Sequence, residues 1–120
     1  MKLTNLSELP EQKVSHNPEI RKKVMLSLGE LPHLTNFSQV IFSPGQVAEA
    51  HIHQDMCEFF FVESGRGIIR IDGKDYPLEQ GTCVAVEAGE VHEVINDSLM
   101  DLVLTYFGLR VSLLTSRNFH

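Results

Sequence analysis

The chain has 120 residues, a formal charge of -6 at pH 7 and two cysteines, as expected for one domain that buries a core without disulfide cross-links. The negative charge argues against a nucleic-acid partner, and no apolar run is long enough for a signal peptide or a membrane span. We therefore expect a cytoplasmic protein that neither binds nucleic acid nor crosses a membrane.

Residues 1–22 are expected to form an irregular N-terminal arm, because residues 1–18 are polar, contain two prolines and show no periodicity. The basic residues 21–23 are interpreted as a solvated strand end. From residue 23 onward, short β-type runs alternate with turn residues. They predict strands at 24–28, 37–42, 47–53, 58–62, 68–71, 74–76, 82–86, 91–95 and 102–107. This spacing indicates a sandwich or barrel, so residues 23–110 form one all-β domain and residues 111–120 a C-terminal tail.

Two histidines in one predicted strand indicate a metal site. His51 and His53 lie two residues apart, so they share a face and both imidazoles can reach one ion. Glu58 would point to the opposite face if the strand continued, which predicts a turn or bulge within residues 54–57. After such a turn, Glu58 can supply the anionic oxygen that a divalent cation needs beside neutral imidazoles. His92, in a second glycine-spaced stretch, is the candidate fourth ligand.

The spacing Gly-x5-His-x-His-x4-Glu-x6-Gly at residues 45–65, followed by Gly-x5-Glu-x-Gly-x2-His-x3-Asn at residues 81–96, resembles the paired motifs of the cupins. Glu87 departs from the pattern, because the family usually has proline there, and the turn before Gly89 loses a fixed φ angle. The resemblance implies a cupin jelly-roll β-barrel holding one divalent transition metal per subunit (Fe, Mn, Ni, Zn or Cu). The implied ligands are His51, His53, Glu58 and His92. Asn96 is interpreted as a turn former.

The strand after the bend predicts both a pocket and an interface. Phe60 and Val62 share the face of Glu58 and are expected to line the substrate pocket. Phe59 and Phe61 point away, and a contiguous exposed aromatic patch is uncommon on a monomer. We therefore expect a homodimer that covers this pair. The alternatives are cover by the N-terminal arm or by another sheet of the same barrel.

The implied ligand set leaves two adjacent positions on an octahedral ion, which suits a chelating oxygen-donor ligand, or a substrate together with O₂. We interpret the protein as a dioxygenase-type oxidoreductase acting on a small organic substrate. Glu58 is the candidate catalytic residue, since it is the only anionic ligand and can accept a substrate proton. Two alternatives stay open, namely a non-catalytic metal-dependent protein that binds a small ligand, and a metal-dependent sugar isomerase or epimerase. The isomerase is disfavoured because the basic residues of the motif region lie at or near hairpin turns: Arg66, Arg70 and Lys74.

Overall fold

The computed structural model of the chain describes residues 1–14 and 17–111, without the side chain of Pro18. In these residues one short 3₁₀ helix, Leu6–Glu8, precedes ten strands. They are β1 (Gln12–Val14), β2 (Asn17–Leu26), β3 (Leu34–Phe42), β4 (Val47–His51), β5 (Met56–Ser64), β6 (Gly67–Ile71), β7 (Lys74–Leu78), β8 (Cys83–Val86), β9 (His92–Ile95) and β10 (Leu102–Arg110). The all-β prediction is confirmed, while the expected tail, apart from Val111, lies outside the described residues. No helix in the described ranges is long and apolar enough to cross a membrane.

The strands form two antiparallel sheets with the core between them. The larger sheet has the order β1-β2-β3-β10-β5-β8, and the smaller one β4-β9-β6-β7. Alternate residues of each strand point inward, so Val62 and Leu104 of the large sheet and Ile69 of the small sheet are fully buried. Burying one such side chain contributes roughly 1.5–3 kcal/mol relative to leaving it exposed.

The N-terminal segment differs from the irregular arm expected over residues 1–22. Residues 12–14 form β1, and β2 begins at Asn17 and pairs with β3, so the segment extends the large sheet. Ile20 anchors it, because its side chain is 1% exposed and belongs to the core. The polar residues around it gave no periodic signal, yet an edge strand needs only one buried face and a register to its neighbour.

The connection between β4 and β5 brings the predicted ligands together. β4 ends at His51 and β5 begins at Met56, so the chain leaves strand conformation over residues 52–55. This confirms the predicted change of direction before Glu58. The register between β4 and β9 also shifts between Ala48 and His51, which turns the end of β4 toward the space between the sheets.

Candidate metal centre and its cavity

Four side chains of metal-ligand type converge between the two sheets. His51, at the end of β4, lies directly opposite His92, the first residue of β9. His53 follows in the connection to β5, where its carbonyl accepts a hydrogen bond from the backbone N–H of Gly89 at 2.8 Å. Glu58 comes from β5 in the large sheet, where it is buried. The structure thus brings together all four predicted ligands.

The distances within this group suit one ion. From Oε1 of Glu58, Nε2 lies at 2.9 Å in His92, 3.2 Å in His53 and 3.9 Å in His51. All four ligand atoms lie within 4.8 Å of one another. Ligands bound at 2.0–2.2 Å lie about 3–4 Å apart around an ion, so a small inward movement closes the set on a metal. Nitrogen and carboxylate donors in this ratio suit a divalent transition metal.

Backbone carbonyls hold two of the imidazoles in the orientation that metal binding requires. Nδ1 of His51 donates to the carbonyl of Glu49 at 2.9 Å, and Nδ1 of His92 donates to the carbonyl of Glu90 at 3.2 Å. A carbonyl oxygen can only accept, so each Nδ1 carries a proton. In its neutral form each ring would therefore turn an Nε2 lone pair toward the site. In this structure Nε2 of His92 lies 2.9 Å from Oε1 of Glu58 and donates to it as part of a protonated ring.

Burial and the local charges shift the pKa values of three of these groups. Burial lowers the pKa of His51. Burial acts in the same direction on His92, but the hydrogen bonds to Glu58 and to the Glu90 carbonyl outweigh it, so the pKa of His92 is raised. For Glu58, burial raises the pKa, yet the His92 hydrogen bond and the nearby imidazoles outweigh it, and the net pKa is lowered. In the metal-free protein, therefore, Glu58 stays ionised and His92 holds its proton more tightly than a free histidine.

Three of the four candidate ligands, His51, His53 and Glu58, line a cavity of about 220 Å³. This is roughly the volume of seven water molecules. Of the two pocket residues expected from sequence, Phe60 lines the cavity, whereas Val62 is fully buried in the core and is absent from the cavity wall. Strand alternation gives the face of a side chain but not its depth between the sheets.

A buried phenol forms part of the cavity wall. Tyr106 of β10 stacks on Phe60 with ring centroids 5.6 Å apart. Burial and the negative charge of Glu58 raise the pKa of Tyr106 to about 12, against the opposing effect of a hydrogen bond with Ser38. The phenol therefore stays protonated at physiological pH, and because the Ser38 hydroxyl already donates to Asn36, Tyr106 is the donor in its hydrogen bond with Ser38.

The outer face of the large sheet carries the aromatic residues that were expected to point away from the pocket. Phe59 stacks on Phe107 at 4.6 Å, and Phe107 meets Phe37 edge to face at 5.9 Å. Phe61 is 46% exposed. The 3₁₀ helix is held near β2, where Nζ of Lys23 donates to the carbonyl of Leu6 at 3.2 Å. Since β3 and β10 separate β2 from β5, neither the N-terminal segment nor the second sheet covers Phe61.

Asn96 is a turn former, as predicted. Its Oδ1 accepts from the backbone N–H of Ser98 at 3.0 Å, and its Nδ2 donates at 2.8 Å to the carbonyls of Phe42 and Met100. These bonds hold the end of β9 against the end of β3, so Asn96 has a structural role outside the ligand group.

Comparison with known families identifies the chain. Residues 38–108, more than half of its length, match the family described as "Cupin domain". The chain belongs to the cupin-domain family. The matched segment contains all four candidate ligands and begins within β3, so β1 and β2 lie outside it.

The proteins similar to this cupin are named for different functions. An oxalate-binding protein of Thermotoga maritima is 29% identical over 66 residues, which cover 55% of this chain and about half (54%) of that protein. The crystal structure of a "predicted oxalate decarboxylase" from Thermotoga maritima superposes with a TM-score of 0.85 at 22% identity, covering 91% of this chain and 99% of the other. A sugar phosphate isomerase from Silicibacter pomeroyi gives 0.77 at 21% identity, covering 89% and 74%. The two superpositions confirm the expected cupin jelly-roll fold.

The turn before His92 forms without the proline that cupins usually have. Gly89 adopts φ 90°, which favours glycine, and the N–H of Glu90 closes the turn on the carbonyl of Glu87 at 3.1 Å. The same Gly89 supplies the N–H that holds the His53 segment. Glycine at this position thus keeps two ligand-bearing segments in place.

Three polar residues of this cupin's cavity were missed by sequence reasoning: Lys22, Asn36 and Tyr106. Lys22 and Asn36 precede the matched family segment, and Tyr106 follows the second motif. The pairing register between β2 and β3 shows that Lys22 faces inward, because it places Lys22 opposite the buried Val40.

Proposed function

We propose that this cupin binds one divalent transition metal and acts on a small oxygen-donor organic substrate as a dioxygenase-type oxidoreductase. The proposal rests on one observation: three imidazole nitrogens and one carboxylate oxygen lie within 4.8 Å of one another at the wall of a small cavity. The proposed ligands are His51, His53, Glu58 and His92.

A redox-active metal at this site would supply O₂ activation and bind substrate oxygen beside it. The chain's own residues would orient the substrate and exclude water. Phe60 and Val94 give the cavity apolar walls, and Tyr106 adds a protonated phenol to the same wall. Glu58 is the proposed catalytic residue because it is the only carboxylate among the described residues of the cavity wall, and it is ionised and therefore in the form that accepts a substrate proton.

Oxygen consumption tests this function. Protein loaded with Fe(II) under argon is given O₂ and, in turn, catechols, enediols, β-diketones and small hydroxy or oxo acids. We expect O₂ uptake with at least one class, and none with metal-free protein or with His53→Ala. A metal-loaded protein that binds a ligand tightly without O₂ uptake under Fe, Mn, Ni or Cu would contradict the oxidoreductase.

Non-catalytic binding of a small ligand is the second candidate, favoured by the similarity to the oxalate-binding protein. Calorimetry on the metal-loaded protein with oxalate, followed by product analysis, separates the two functions, since a binding protein returns the ligand unchanged. The hypothesis of a sugar isomerase or epimerase has less support. Arg66, Arg70 and Lys74 do not line the cavity, and Arg70 is paired with Asp75 and Glu93. Aldose and ketose interconversion without O₂ would nevertheless favour it.

We also propose that the chain forms a homodimer through the outer face of the large sheet. Phe61, Phe59 and Phe107 lie on that face, and Phe61 has no cover within the described residues. A second copy would remove this aromatic surface from water. The free thiols of Cys57 and Cys83 support a reducing, cytoplasmic location.

A further inference from the structure

Lys22 is a cation on the inward side of the large sheet. In β2 it lies two residues from Ile20, which is 1% exposed, and opposite Val40, which is 4% exposed. It is half-buried and lines the same cavity as the metal ligands. No ion pair joins Lys22 to a carboxylate within residues 1–14 and 17–111. Its long side chain can pack its stem on the sheet and place the ammonium in the cavity, so its position indicates a site for an anion supplied by a ligand.

Asn36 adds a second donor to this part of the cavity. Its Oδ1 accepts a hydrogen bond from the Ser38 hydroxyl at 2.7 Å, and Ser38 is also hydrogen-bonded to Tyr106. With its oxygen engaged, Asn36 directs its amide N–H groups elsewhere, and the described residues offer them no acceptor. Lys22 and Asn36 therefore present only donors to a ligand.

The charge of the complete site indicates what that ligand is. A divalent ion with three neutral imidazoles and one carboxylate has a net charge of about +1, and Lys22 adds another positive charge. Within residues 1–14 and 17–111, Glu58 is the only carboxylate of the cavity wall, and it would already be bound to the ion. A ligand with two negative charges neutralises this arrangement.

We infer that the cavity binds a small dianionic organic acid, with one oxygen pair chelating the metal and a second carboxylate held by Lys22 and Asn36. This inference rests on the proposed metal site and specifies its substrate class. A cavity of about seven water volumes is large enough for a four-carbon diacid.

Matched ligands test the assignment. Malate can chelate through its hydroxyl and neighbouring carboxylate, and its 4-amide differs only by replacing the distal carboxylate with a neutral amide. Calorimetry on the nickel-loaded wild type should show at least about tenfold tighter binding of malate than of the amide, because a charge-assisted hydrogen bond is lost. Lys22→Met should weaken malate binding about tenfold without changing that of the amide, and Lys22→Arg should retain the preference.

Lys13→Met is the control, because it removes the same charge from an exposed position in the neighbouring strand. Nickel content is measured on every variant, so that failure of the metal site can be distinguished from failure of the diacid subsite. Loss of nickel from the wild type would refute the proposed metal site itself. Normal nickel content with equal affinities for malate and the amide, or with no binding of either, would overturn the diacid subsite.

Discussion

The backbone N–H of Glu87 donates a hydrogen bond to the carboxylate of Glu90 at 2.7 Å, at the position where cupins usually have a proline. Proline has no N–H and could not form this bond. In this turn, a hydrogen bond to the side chain three residues later takes the place of the fixed φ angle that a proline would provide. His92 follows this turn, so the hydrogen bond supports the start of β9 and the ligand that it carries.

Removing this acceptor should loosen the turn. We expect Glu90→Ala to lower the free energy of unfolding by about 1 kcal/mol, the usual net value of one hydrogen bond, in both metal-free and metal-loaded protein. Chemical denaturation measures the change. Glu79→Ala, which removes an exposed carboxylate in another loop, should stay within about 0.5 kcal/mol of wild type. Equal effects of the two substitutions would show that the turn does not depend on the Glu90 carboxylate.

Metal content tests the ligand set. Elemental analysis of the wild type should give about one divalent ion per subunit, and His53→Ala and His92→Ala should each lose most of it, because the three remaining protein ligands hold an ion less tightly than four. Glu49→Gln is the control, because its side chain is exposed and only its backbone carbonyl holds His51. Wild-type occupancy in both alanine variants would exclude these histidines as ligands.

Acidification should release the metal. In the metal-free protein the raised pKa of His92 stabilises the fold below about pH 6.5 and this contribution is lost as pH rises through the raised value. The lowered pKa of Glu58 stabilises the fold above about pH 4.5 and its contribution is lost as pH falls through the lowered value. Metal binding instead requires neutral imidazoles, so protons begin to compete at the raised pKa of His92.

Melting temperatures of metal-loaded and metal-free protein, measured across pH, follow this competition. The difference between them should be largest near pH 8 and should shrink as the pH falls, because protons compete with the ion for the imidazole nitrogens. A difference that stayed constant over this range would contradict histidine ligation.

The coupling between Glu58 and His92 can be measured without any metal. Glu58→Gln removes the charge and the carboxylate acceptor that raise the pKa of His92, so burial should then lower that pKa below its value in the wild type. NMR titration of the histidine side chains in metal-free protein follows the change. His33, which is exposed and distant in the chain, should titrate alike in both proteins. An unchanged pKa at His92 would mean that the carboxylate does not contact this ring in solution.

The outer aromatic face should control assembly. Phe61→Asp places a charge within the proposed interface and should convert a dimer into a monomer in analytical ultracentrifugation. Leu99→Asp is the matched control, because Leu99 is 95% exposed in the loop before β10 and lies away from this face. A wild type that sediments as a monomer would refute the homodimer directly.

The motif residues could be predicted from sequence because their positions depend on local rules. The odd spacing to Glu58 required a turn within residues 54–57, and the structure bends at residues 54–55. The strand predicted over 47–53 ends at His51, so His53 reaches the site from the connection to β5 and not by strand alternation. Lys22 could not be found in this way. Three consecutive basic residues, 21–23, resemble a solvated strand end, and only the pairing of β2 with β3 determines that the middle one faces the cavity. Alternation predicted the face on which Val62 lies but not that it is buried in the core, because its depth depends on the opposing sheet.

The metal ligands come from both sheets of the molecule. His51 and His92 belong to the four-stranded sheet and Glu58 to the six-stranded one, so an ion bound by all three ties the sheets together at the cavity. No backbone ladder joins the two sheets in the described residues, so away from the candidate metal site they are held by side-chain packing and by hydrogen bonds such as that from Asn96 Nδ2 to the carbonyl of Phe42. A bound ion would set the width of the gap between the sheets at the cavity, and a ligand entering this gap would meet walls whose spacing depends on metal occupancy. Amide hydrogen exchange at β4 and β9 would follow the same occupancy, because opening of this gap is the motion that the ion restrains.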